Sequence, residues 1–180
     1  MLKTALAATA AILLATQALA INPEVGGAPM FEDKNIVENA VNSADHTTLV
    51  AAVKAAGLVD TLASPGPFTV FAPVNAAFAA LPAGTVDTLL KPENKDMLVK
   101  VLTAHVVAGD WKSADLAREI QAGGGRYTFR TVSGDLLAAE MRGNDIYIID
   151  ENGSGSKITI ADVDQSNGVI HVVNKVLVPN

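Results

Sequence analysis

The stretch NGVIHVVNKVLVP, residues 167–179, decides how this chain is read. Asn167-Gly168 is a turn dipeptide, Pro179 closes the run, and the residues between are mostly apolar and β-branched, which predicts a strand over 169–178. Counting by two, Val169, His171, Val173 and Lys175 share one face, while Ile170, Val172, Asn174 and Val176 share the other. His171 therefore stands among valines. An imidazole there can pack its ring and bond a backbone carbonyl, and burial favours its neutral form. A structural histidine is expected.

Working outward, period-two patterning runs back to residue 126. RYTFRTV, LLAAEM, IYIID and KITIADV precede the last run, with SGD, RGND, ENGSGS and DQSNG between them as turns. Such short connections imply antiparallel neighbours. From 36 to 122 the punctuation is helical instead. Asp45 is expected to cap a helix through TTLVAAVKAA, with Gly57 as its stop. FTVFAP (68–73) reads as a short buried strand, after which Asn75 is expected to cap the turn AAFAAL. Thr85 and Pro92 open two further helical pieces, the second placing Met97, Leu98, Val101, Leu102 and His105 on one stripe. Ser113 is expected to cap ADLAREIQA, which ends at Gly123-Gly124-Gly125. Helices first and strands last make the fold class α+β.

The first twenty residues, MLKTALAATAAILLATQALA, combine one charge, a short apolar region and an Ala18-Leu19-Ala20 cleavage site. They read as a secretory signal peptide, so a secreted or periplasmic protein without membrane insertion after processing is expected. Residues 21–35 read as a flexible lead-in, and 36–180 as one domain. Without Lys3, 12 basic residues face 19 acidic ones, a net charge of −7 with no basic cluster, which excludes nucleic acid as partner. Cysteine is absent, so no disulfide framework or thiolate chemistry exists.

Catalytic and metal chemistry finds no motif. His46, His105 and His171 share no metal-ligand spacing. Starting a calcium loop at Asp162 places Asn167 and Val173 where Gly and Glu are required, so DVDQSNG is a strand connection with Asp162 free to accept turn hydrogen bonds. No serine lies in G-x-S-x-G, and GGGR lacks the Lys and Ser/Thr of a phosphate loop. No cofactor is implied, and the chain is not expected to be an enzyme.

Three stretches together resemble the fasciclin-type domain. TVFAPVNAAFAALP (69–82) is similar to the family's first signature box, and brings Phe71, Pro73, Asn75 and Phe78 with it. LTAHVVAGDW (102–111) is similar to its central motif, with His105. The opening stretch resembles the second box, contributing Asn167, Gly168, His171 and Pro179, with Asp162 just ahead. These ten residues are expected to be structural. The family usually has Tyr before the central histidine and an acid in the second box, where this chain has Ala104 and Asn174. A tyrosine-dependent adhesion role is therefore not carried over. The resemblance implies a single compact domain with helices packed on a wedge of two β-sheets, and adhesion through protein or glycan partners rather than catalysis.

ENKDML (93–98) is similar to a short segment that integrin-binding animal members present, which makes Asn94, Lys95, Asp96 and Met97 candidate partner-binding residues. The competing reading is an ordinary first helical turn, with the acids at the positive end of the dipole and Met97 and Leu98 entering the core. The expected partner is a cell-surface or matrix protein or glycan, met by a monomer or weak self-associate. The alternative is a periplasmic small-molecule or glycan-binding module, which requires a concave pocket.

Overall fold

The computed structural model describes residues 22–180, so the segment read as a signal peptide lies outside the described residues. The chain begins with β1 (Glu24–Val25) and β2 (Ala28–Pro29), followed by α1 (Ile36–Ala40), α2 (Thr47–Ala56) and α3 (Val59–Ala63). Next come β3 (Phe68–Pro73), α4 (Asn75–Ala79), α5 (Thr85–Leu89), α6 (Lys95–Thr103), β4 (Val106–Ala108) and α7 (Ser113–Ala122). Five strands complete it: β5 (Arg126–Arg130), β6 (Leu136–Arg142), β7 (Asp145–Ile149), β8 (Gly155–Gln165) and β9 (Gly168–Val173).

Seven strands form one hydrogen-bonded run in the order β4-β3-β9-β8-β7-β6-β5. The two sheets of the wedge share β8. Its pairing with β9 is interrupted by register shifts between Ile158 and Val163, and Asp162 sits there at φ 58°. Bulges of this kind bend a strand and increase its twist. The edges of the run are tied together where Val132 N–H donates to Val106 O at 2.8 Å, which brings the wedge close to a barrel.

The hairpin series from β5 to β9 is antiparallel, as its turns predict. β9 also pairs with β3, and that pair is parallel. Turn chemistry specifies only successive strands, so this distant partner left no local signal. β9 also stops at Val173, short of the predicted Val178. Beyond it most backbone donors turn to other partners: Lys175 N–H to Ser156 Oγ, Leu177 N–H to His105 Nε2 and Val178 N–H to Asp150 Oδ2. With those donors satisfied outside a ladder, the chain leaves the sheet.

Alternation along β3 and β9 separates two cores. Val70, Ala72, Ile170 and Val172 face the helical layer. Phe71 and Val173 face inward, where Leu116 and Ile120 of α7 join Phe129, Leu137, Ile148 and Leu177. At the start of β9 only glycine fits: a Cβ on Gly168, at φ 151°, would meet Phe68 O at 1.9 Å.

The lead-in differs from expectation. β1 and β2 form a small antiparallel ribbon, and Val25 and Met30 are buried in the helical core. Asn39 holds the following turn by accepting from Phe31 N–H and donating back to Phe31 O. The ribbon itself is local, turning at Gly26-Gly27, but the burial of Val25 and Met30 against distant helices could not be announced by the composition of 21–35.

Candidate functional site

Three residues of the motifs satisfy helix N-termini other than their own. Unpaired N–H groups there need acceptors. Asn75 Oδ1 accepts from Thr48 N–H at 3.0 Å, while its Nδ2 donates to Ala44 O at 2.8 Å. It therefore serves α2, and makes no cap bond to the α4 it was expected to cap. Asp45 does not cap α2 either, because Ala44–His46 form a 3-10 turn that carries it past the cap position. Asn167 Oδ1 accepts from Ile36 N–H at 3.0 Å, and its Nδ2 donates to Leu62 O and Ser64 O at 2.8 Å. One amide thus ties α1 and the end of α3 to the β8–β9 turn.

Asp162 is the third. Its Oδ1 accepts from Ser113 N–H at 2.6 Å, and its Oδ2 accepts from the Ser113 hydroxyl. Ser113 is the first residue of α7 rather than its cap, and the capping carboxylate comes from the bulge in β8. A negative charge at that position suits the helix dipole. Asp162 N–H donates in turn to His171 Nδ1 at 3.2 Å, and His171 Nε2–H donates to Trp111 O at 2.7 Å.

Ser113, Asp162 and His171 therefore lie in one hydrogen-bonded chain, but in an order that activates nothing. A Ser-His-Asp relay needs the imidazole to take the serine proton. Here the hydroxyl faces the carboxylate, and both ring nitrogens are engaged by backbone groups. His171 is fully buried beside Phe71, with ring centroids 5.8 Å apart. Burial holds its pKa below the ordinary histidine value, against the opposing pull of its bond to Trp111 and of Asp162.

The other histidines follow the same plan. His105 Nε2 accepts from Leu177 N–H at 2.8 Å, so the proton sits on Nδ1, which donates to Val101 O at 2.8 Å. Burial lowers its pKa to about 4. It lies in the turn between α6 and β4 rather than on the helical stripe predicted for it. His46 links Ser43 Oγ at 2.9 Å to Ala72 O at 3.3 Å, and burial lowers its pKa too. Among the described residues no group of three or more His, Cys, Asp or Glu is placed to hold a metal ion.

The remaining motif residues differ in burial. Phe71, Pro73 and Phe78 are buried, Pro179 is half-buried, and Gly168 makes the close approach already described. Asn174, in place of the usual acid, accepts from Lys157 N–H through its side chain at 2.9 Å.

The candidate partner-binding residues open α6. Leu98, Val101 and Leu102 turn inward, whereas Lys95, Asp96 and Met97 are exposed. Met97, expected to enter the core, is 59% exposed. Position 97 falls on the outer side of the helix, one turn before Lys100, which reaches Asp135 and the Asn180 carbonyl. Asn94 has a different job from its neighbours: its Nδ2 donates to Thr88 O at 2.7 Å and fixes the preceding turn. Leu136 and Val178 are also exposed, at 43% and 41%. Both are anchored to the turn at 150–152, Leu136 N–H by Glu151 and Val178 N–H by Asp150. Lys100 thus links α6 to Asp135 and Asn180, and the backbones of Leu136 and Val178 are held by the same turn.

A profile of the fasciclin domain matches residues 44–179. The chain belongs to the fasciclin domain family. Protein sll1483 of Synechocystis sp. is 48% identical over 144 residues, which are 80% of this chain and 73% of that protein. The cell surface glycolipoprotein MPB83 of Mycobacterium bovis is 34% identical over 122 residues, 68% of this chain and 48% of that protein. The solved FAS1 domain pair of the insect cell adhesion molecule fasciclin I matches with a TM-score of 0.71 at 18% identity, covering 80% of this chain and 50% of that one. The fasciclin fold explains why the boxes sit where they do: the first supplies β3 and Asn75, the second β9 with Asn167 and His171. Sequence reasoning missed the Asp162–Ser113 pair, whose partners lie 49 residues apart. It also missed Asn39, which donates to Gln165 Oε1 at 2.6 Å in the interior. Both residue types are common, and only the fold brings them together.

Proposed function

We propose that this fasciclin domain is an exported adhesion domain that binds a cell-surface or matrix protein through the side of the molecule where α6 begins. The observation that carries this reading is the exposed pair Asp96 and Met97 on one helical turn. Among the described residues Asp96 takes part in no ion pair, so its carboxylate is available to a partner or to a partner-held cation. Met97 supplies a deformable apolar contact beside it. Leu136 and Val178 extend the apolar part of the surface around the Lys100–Asp135 pair, a mixture suited to a flat protein interface. The MPB83 relative, named for the cell surface, and the adhesion molecule that shares the fold support the assignment. The role is non-catalytic: the three histidines and Ser113 spend their polar atoms on the fold.

Export follows from the N-terminal sequence, and among the described residues no helix is long and apolar enough to cross a membrane. The test is to immobilise the protein and count retained cells, with a heat-unfolded sample as control. Retention that needs the folded protein and falls on Asp96→Ala or Met97→Ala is expected. Retention no greater than the unfolded control defeats the adhesion reading; retention untouched by both substitutions moves it away from α6.

A further inference from the structure

Within the helical layer α1 packs with α3 and α2 with α6. Between them lies an apolar groove of about 70 Å³, floored by β3 and β9. Val37 and Ala40 of α1 form one wall, Val50 and Val53 of α2 the other, and Ala72 and Ile170 part of the floor. By the volume one water needs, the space takes roughly five or six methylene-sized groups.

The lining selects among ligands. Its buried polar side chains are already committed: Ser43 Oγ to His46 Nδ1, His46 Nε2 to Ala72 O, and both nitrogens of His105 to backbone groups. No buried side-chain nitrogen or oxygen among the described residues lacks a partner. A sugar would give up its hydrogen bonds to water and find none in return. An aliphatic chain loses nothing by entering. One formally charged residue lines the groove, Lys54, near the end of α2. It is exposed, and takes part in no ion pair among the described residues.

We infer that this groove binds the aliphatic chain of a medium-chain carboxylate, with the Lys54 ammonium pairing to the carboxylate at the mouth. The apolar walls set the chain's thickness and length, and the single cation sets the sign of the head group. This site is separate from the exposed surface where α6 begins, and meets only the far end of that helix, at Leu102 and Thr103. Its test reads ligand binding in solution rather than cell retention, so the two readings can fail independently.

The experiment is calorimetric titration of the purified protein with octanoate and, in parallel, with octylamine, its counterpart of opposite charge. Saturable octanoate binding at one site is expected, with octylamine weaker. Lys54→Glu should weaken octanoate about fivefold or more, the range of an exposed ion pair and its reversal, while leaving octylamine unharmed. Ala72→Leu fills the floor and should abolish binding of both. Ala40→Leu, at a half-buried wall position, repeats that test in a variant better able to fold, with circular dichroism confirming the fold. No saturable octanoate binding overturns the inference, as does octylamine binding the native protein as tightly as octanoate. So does octanoate binding that survives both filling variants in folded protein.

Discussion

The two faces of the β3–β9 pair are both apolar, yet they are closed in different ways. On the inner face Phe71 stacks with Phe129 at 5.9 Å and with His171 at 5.8 Å, and α7 shuts the space with Leu116 and Ile120. Large rings and a bonded imidazole leave little freedom there. On the outer face smaller side chains meet short helices, and a groove remains between the helix pairs. The difference teaches that one sheet can hold its shape on one side while leaving room on the other. The polar residues of the motifs guard the joints: Asp162 and His171 secure α7 over the inner face, and Asn75 and Asn167 secure α2 and α1 over the outer one.

The largest effect is expected where the inner face is emptied. Phe71→Ala should cost about 3–5 kcal/mol, seen as a large fall in the urea midpoint. Val50→Ala on the groove wall should cost about 1 kcal/mol or less, because the residue is half-buried and borders space already. Equal losses at the two positions would erase the contrast.

Acid is a second way to break it. His105 has a folded pKa of about 4, below the unfolded value of about 6.5. The unfolded chain therefore binds a proton before the folded one does, and stability falls as pH drops from about 6.5 towards 4. The full window is worth about 3 kcal/mol for this group. His46 and His171 are shifted in the same direction and add to the trend. Denaturation midpoints measured across that range should decline in the native protein and decline less in His105→Gln. A flat profile would contradict a buried, neutral His105.

The caps come next. Asn75→Ala removes the acceptor for Thr48 N–H and the donor to Ala44 O, and should cost about 1–2 kcal/mol. Asn75→Asp should recover part of that loss, because the accepting oxygen is kept while the amide donor is not. Smallest of all, Asp96→Ala should change stability by less than about 0.5 kcal/mol, since its side chain touches solvent. Unchanged thermal unfolding in that variant would let its cell-retention result be read as binding.

Much of this was legible in the chain itself. The alternation from residue 126 onward gave the five strands, and Gly57 ends α2 in the left-handed conformation expected of such a stop, with φ 72°. His171 is buried, as its valine neighbours implied, with both ring nitrogens bonded to backbone groups. What escaped was partnership across distance. Ser, Asn and Asp beside a helical run look like local caps, so Ser113 and Asn75 were assigned to the helices they adjoin. In the fold they exchange bonds with Asp162 and with α2. Met97 followed the apolar stripe in composition but not in phase, and faces solvent. The groove has no sequence signature, because it arises from how short helices fail to meet.

The parallel pair at the middle of the sheet also dictates an order of events. β9 joins β3 over the whole of residues 68–73 and 168–173, about a hundred positions apart. The loop between them is expensive to close, whereas the hairpins from β5 to β9 close cheaply. β3 can pair with β4 early, but its second neighbour exists only once residues 168–173 have been made. Until then the helical layer has only the β3–β4 pair beneath it, and the β5–β9 hairpins bring the rest of its floor.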